Sequence, residues 1–151
     1  DRFNPARYNL AQLDYQRGDR DGAAALYRTI VAQEPRAGAA RHALGLLLGE
    51  LGDGAGAIEQ LLAAAALNGS GRSWYNAAIL QQRSGDASAA QYSYQQALAS
   101  EPDNRDYLVG LVSLLVQNNR RDEALAAVRA AIARNPYSRE LRQLRHQLQQ
   151  R

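Results

Sequence analysis

Cysteine, methionine and lysine are all missing from this chain of 151 residues. Without cysteine there can be no disulfide, no thiolate metal site, no haem attached through Cys-x-x-Cys-His and no cysteine nucleophile. The absence of methionine, with Asp1 at the start, leads us to expect a processed chain or a piece of a larger parent. Long apolar runs are scarce as well. The strongest, Leu61 to Leu67, is seven residues long, against about 20 for a membrane-spanning helix, so membrane insertion is not expected. No stretch reads as a signal peptide. All 18 basic residues are arginine, which points to a GC-rich bacterial genome and leaves cytoplasm and periplasm both open. The net charge is only +3 and the arginines are dispersed, whereas nucleic-acid binding shows as a basic face. Arg139, Arg142, Arg145 and Arg151 come closest to a cluster, and they read as the solvated side of one helix.

What the chain does have is a period. Gly18-Asp19, Gly52-Asp53, Gly85-Asp86 and Asn119-Arg120 stand 34, 33 and 34 residues apart. Five residues after each anchor comes alanine: Ala23, Ala57, Ala90 and Ala124. Nine after stand Tyr27, Leu61, Tyr94 and Val128, and seventeen after stand Pro35, Gly69, Pro102 and Pro136. Seven before stand the small or β-branched Ala11, Gly45, Ala78 and Val112. The pattern has a physical reading. Small residues sit where two helices cross closely, the large ones fill space toward the next unit, and Gly-Asp turns the chain and places a carboxylate at a helix N-terminus. Proline ends the second helix. A period in this range marks a stack of supersecondary units.

With Ser73-Trp74-Tyr75-Asn76-Ala77-Ala78, Gly85-Asp86, Ala90, Tyr94, Ala97 and Glu101-Pro102-Asp103-Asn104 in place, the chain resembles the tetratricopeptide-repeat (TPR) family over about nine-tenths of its length. The resemblance implies an all-α, right-handed α-solenoid of four helix-turn-helix units, near 4–37, 38–70, 71–104 and 105–137, closed by a C-terminal capping helix near 138–150. Expected helices cover 4–17, 21–33, 38–51, 55–67, 72–84, 87–100, 105–118, 121–134 and 138–150. In the last, Leu141, Leu144 and Leu148 form one apolar stripe, suited to a polar-backed terminal cap. No cap is expected ahead of the first unit, so self-association there is an open possibility.

Two units depart from the pattern. Asp14 and Gln81 occupy a position that is usually large and apolar, and Leu13, Tyr15 and Leu80 are expected to compensate. The second unit carries Gly49, Gly52, Gly54 and Gly56. At about 1 kcal/mol for each interior helical glycine, it should be the softest.

Catalytic, metal and cofactor sites are not expected. His42 and His146 lie far apart, without a carboxylate or second histidine at i+4. Gly52 to Gly56 lacks the preceding strand and the lysine of a phosphate loop. Asp19-Arg20-Asp21 lacks the terminal glutamate of a calcium loop, Ile30 standing in its place.

The resemblance implies a groove lined by the first helix of each unit. In this chain those positions hold Tyr8, Gln12, Tyr15, His42, Leu46, Glu50, Arg72, Tyr75, Ile79, Arg83, Val109 and Ser113, with Asn9 and Asn76 beside them. The Lys, Asn and Arg with which the family's co-chaperone members grip a C-terminal carboxylate are absent from the corresponding positions, which hold Tyr8, Gln12, His42, Leu46, Tyr75, Ile79, Val109 and Ser113. The expected function is that of a non-enzymatic scaffold holding a peptide segment or a helix of a partner protein. An alternative is an accessory domain of a larger envelope enzyme or electron-transfer protein, such as a multihaem cytochrome, with no independent partner.

Overall fold

A computed structural model describes residues 4–150. Those residues form nine helices: α1 (Asn4–Gln16), α2 (Arg20–Gln33), α3 (Gly38–Glu50), α4 (Gly54–Asn68), α5 (Gly71–Arg83), α6 (Ala87–Ser100), α7 (Arg105–Gln117), α8 (Arg121–Arg134) and α9 (Arg139–Gln149). Each end falls within one residue of the sequence expectation. Among the described residues no helix is long and apolar enough to cross a membrane.

The turns explain the period. Gly18, Gly52, Gly85 and Asn119 all have left-handed backbone, with φ of 88°, 88°, 87° and 60°. Glycine adopts this conformation without cost and asparagine tolerates it. The aspartate that follows each glycine caps the next helix: Asp19, Asp53 and Asp86 accept the backbone N–H of Gly22, Gly56 and Ala89. The fourth turn has Arg120 in that place and no side-chain cap; its guanidinium instead pairs with Glu123. Gly52 is therefore a turn residue, not one of the helix-weakening glycines of the second unit.

Helices pack as consecutive pairs, α1 on α2 through α7 on α8, and each pair packs on the next. Ala23, Ala57, Ala90 and Ala124 are all fully buried at the crossings. Gly45 shows how close these are: a Cβ there would lie 2.7 Å from Leu61 Cγ and 3.1 Å from the Ala57 carbonyl oxygen. Likewise Gly110 leaves the space that the Tyr94 ring fills. One buried cluster joins Ala23, Ala24, Tyr27 and Ile30 of α2 to Ala40, Leu44 and Leu47 of α3. A second runs from Ala78 and Tyr94 through Leu111 and Val128 to Leu148 of α9, with Leu141 and Leu144 packed against it.

One expectation is corrected. Leu13 and Tyr15 do not replace a missing core residue, because both side chains are exposed. At the equivalent place in the third unit Gln81 itself is buried, and its Oε1 accepts the Ser93 hydroxyl at 2.7 Å.

Candidate functional site

The first helices form a row, α1 beside α3, α3 beside α5 and α5 beside α7. Their side chains at 3.6-residue spacing present one face along the stack. Between α1 and α3 lies a cleft of about 420 Å³, lined by Tyr8, Gln12, Tyr15, Leu46 and Glu50, with Gln16, Tyr27, Ala43 and Leu47. Between α3 and α5 lies a second, of about 350 Å³, lined by Leu46, Glu50, Asn76, Ile79 and Arg83, with Gly45, Gly49, Leu61 and Leu80. Leu46 and Glu50 form the wall shared by the two, and Leu46 is 42% exposed.

The rim of the first cleft is held by charge. The Tyr15 hydroxyl donates to Glu50 Oε1 at 2.8 Å, and Arg20 Nε donates to Glu50 Oε2 at 2.9 Å. The Arg20 guanidinium lies 5.7 Å from the centre of the Tyr15 ring. Arg20 and then Tyr15 hold the Glu50 carboxyl below the usual carboxylate range, and the bond to Glu50 pushes Tyr15 above the usual phenol value. The three residues come from α1, α2 and α3, so the rim crosses the boundary between the first two units.

Other expected site residues are engaged in packing. Tyr8 meets the buried Tyr27 edge-on at 5.3 Å. Tyr75 lies between Tyr94 and Tyr107, at centroid distances of 5.8 and 5.0 Å. Burial pushes the Tyr27 and Tyr94 hydroxyls up to about 12. His42 Nδ1 is hydrogen-bonded to the buried Ser73 hydroxyl at 2.8 Å, and burial, with the Arg72 charge adding, lowers its pKa. Asn9, Arg72, Val109 and Ser113 are exposed and line neither cleft. On α7 the face ends in amides: Gln82 Nε2 donates to Gln117 Oε1 at 2.6 Å while Gln82 Oε1 accepts the Tyr94 hydroxyl at 2.9 Å.

Sequence reasoning missed Gln16, Tyr27, Ala43 and Leu47 as lining residues of the first cleft and Gly45, Leu61 and Leu80 as lining residues of the second. Gln16 was within reach, since it is the counterpart of Glu50 and Arg83 at the repeat spacing. Ala43 and Leu47 each sit one position after a residue of the assumed row, His42 and Leu46, and only the helix rotation shows that they reach the cleft. Among the described residues no group of three or more His, Cys, Asp or Glu side chains could hold a metal ion.

Paired antiparallel helices, stacked with their first members in a row, define an α-helical repeat protein. Residues 8–72 and 82–148 each match a tetratricopeptide-repeat family model, and the chain belongs to the tetratricopeptide-repeat family. No curated protein matches it in sequence. Among solved structures it is similar to MamA, at 23% identity over 84% of this chain and 75% of that one, with a TM-score of 0.74. A tetratricopeptide-repeat protein from Parabacteroides merdae ATCC 43184 superposes at a TM-score of 0.81 and 18% identity, covering 98% of this chain and 59% of that one. YrrB, a TPR protein with an unusual peptide-binding site, matches at 0.71 and 18% identity, covering 86% and 68%. At these identities the likeness is one of fold.

Proposed function

We propose that this chain is a protein-interaction scaffold that holds an extended segment or a helix of a partner along the α1–α3–α5–α7 face. The observation that carries the reading is the exposed Leu46 between two clefts. A single exposed apolar side chain would be ordinary, but here it is the shared wall of two adjoining clefts that combine apolar, aromatic and arginine side chains, as interaction surfaces do. Arg83 and Asn76, beside it, supply donors for a bound backbone or carboxylate. That YrrB is described with a peptide-binding site agrees with this use of the fold.

The reading is also of a non-catalytic module. His42 is committed to the hydroxyl of Ser73, a residue only 1% exposed. His146 Nε2 is 2.6 Å from Gln150 Nε2 on the outer helix, away from both clefts.

The test is affinity capture with the wild-type chain beside a Leu46→Glu/Arg83→Glu variant, both checked for folding by circular dichroism. A protein kept by the wild type and lost by the folded variant is the expected result. Retention by both would move recognition off this face. Retention by neither would leave the chain as an accessory domain acting within its parent.

A further inference from the structure

The first and third boundaries between units are fastened by the same side-chain contact, and the middle one is not. At the first, the Tyr15 hydroxyl donates to Glu50 Oε1 at 2.8 Å. At the third, Gln82 Nε2 donates to Gln117 Oε1 at 2.6 Å. Both contacts span 35 residues and join the same two repeat positions. At the second boundary those positions hold Gly49 and Arg83. Glycine has no side chain to offer, and the Arg83 guanidinium is exposed, with no hydrogen bond or ion pair to a described residue. Arg20, which completes the first fastening, is replaced here by Gly54.

The fold requires neither glycine. Neither has left-handed backbone. A Cβ at Gly49 would meet nothing closer than 3.8 Å, and one at Gly54 nothing within 4 Å. Glycine in a helix is less stable than alanine, so the gap stands open against the helix's own preference. It opens a passage. The cleft between α3 and α5 runs on past Gly49 into a pocket of about 440 Å³ beside the Gly52 turn, and Gly49, Leu80 and Arg83 line both. Ile58 and Leu80 make this pocket apolar. Among the described residues Glu50 is the only acidic one lining either space, and its carboxylate is already paired with Arg20 at 2.9 Å. The unanswered charge at this boundary is therefore positive.

Resting on the scaffold reading above, we infer that the boundary between the second and third units selects a partner segment carrying an acidic residue beside a large apolar one. The carboxylate supplies the acceptor that position 49 lacks, and a guanidinium can offer it two parallel donors. The apolar side chain passes the gap at Gly49 and packs on Ile58 and Leu80. Arg83 is then the residue that sets specificity, by charge complementarity, while Leu46 and Ile79 hold the rest of the segment in the groove.

The probe is a phage-displayed library of random dodecapeptides panned on the full chain, followed by fluorescence anisotropy with the enriched peptide. Enriched sequences should pair Asp or Glu with a nearby Leu, Ile, Phe or Trp. Arg83→Gln should weaken binding about tenfold or more. Gly49→Gln/Arg83→Gln rebuilds the fastening of the third boundary, so it should melt no lower than wild type and still lose the peptide. Arg83→Glu should bind the peptide whose acidic residue is changed to arginine better than the original, a swap that a merely structural role would not give. Binding that is lost with Leu46→Glu but unchanged by Arg83→Gln and by the rebuilt fastening overturns the inference and leaves the scaffold reading standing. Binding indifferent to Leu46→Glu as well overturns both, and so does a library that yields no binder. Concentration-dependent self-association that Arg83→Glu abolishes also overturns the inference, because the occupant is then a second copy of the chain.

Discussion

Gln81 and Ser93 face each other inside the third helix pair, the carboxamide oxygen accepting the hydroxyl at 2.7 Å with both side chains buried. At the place of Gln81 the second and fourth units have Leu48 and Leu115, both buried. The third unit thus keeps the volume of an apolar residue but inserts a polar head, and a serine from the partner helix satisfies it. Each group alone would be costly to bury.

Gln81→Leu should therefore destabilise the chain by about 1–3 kcal/mol, because it strands the Ser93 hydroxyl. Adding Ser93→Ala should recover most of that loss. Urea denaturation of the two single variants and the double closes the cycle. Additive losses would mean that the pair is not coupled.

Tyr75 illustrates what the sequence can and cannot say about the site. Repeat spacing places it on the groove-facing row, but the structure packs it between Tyr94, met edge-on, and Tyr107, met at a tilt. Tyr75→Ala should cost about 1–3 kcal/mol from lost aromatic packing and burial. Tyr75→Phe should be neutral, since the hydroxyl has no hydrogen-bond partner among the described residues. Thermal melts separate the two, and only the phenylalanine variant is clean for binding studies.

The turns and helix ends were legible because they rest on local chemistry. Left-handed backbone selects Gly18, Gly52, Gly85 and Asn119, and the capping aspartates follow at once. The groove row was legible in direction, because helical periodicity fixes which residues share a face. Depth was not. Whether a tyrosine stands in the groove or fills a gap depends on what the neighbouring unit offers, as Gly110 does for Tyr94. The burial of Gln81 depends in the same way on Ser93, twelve residues on and on another helix.

His42 gives a pH dependence. Burial lowers its pKa, so the unfolded chain binds a proton at higher pH than the folded one does. Stability is then full above the unfolded value of about 6.5 and falls as the pH drops through it. Glu34, Glu50, Glu123 and Glu140 are held below the usual carboxylate range, so their contribution is lost only at more acid pH. Between pH 7.5 and 5.5 the wild type should lose stability that His42→Gln keeps. Parallel denaturant midpoints for the two chains across that window would refute the assignment.

The glycines of α3 make the sharpest contrast in the molecule, because two of them lie four residues apart in one helix and should respond with opposite sign. Alanine is favoured over glycine in a helix interior by about 1 kcal/mol. At Gly49 nothing opposes that gain: a Cβ would meet its nearest neighbours, Ala57 Cβ and Leu80 Cδ1, at 3.8 Å, an ordinary contact. Gly49→Ala should stabilise by about 0.5–1 kcal/mol. At Gly45 the Cβ would press on Leu61, which is fully buried and has no room to yield, and on the Ala57 backbone. Overpacking of this kind costs about 1–3 kcal/mol, which outweighs the propensity, so Gly45→Ala should destabilise. Paired urea melts decide it. Two changes of the same sign would show that the crossing of α3 and α4 is set by something other than the closeness of Gly45 to Leu61.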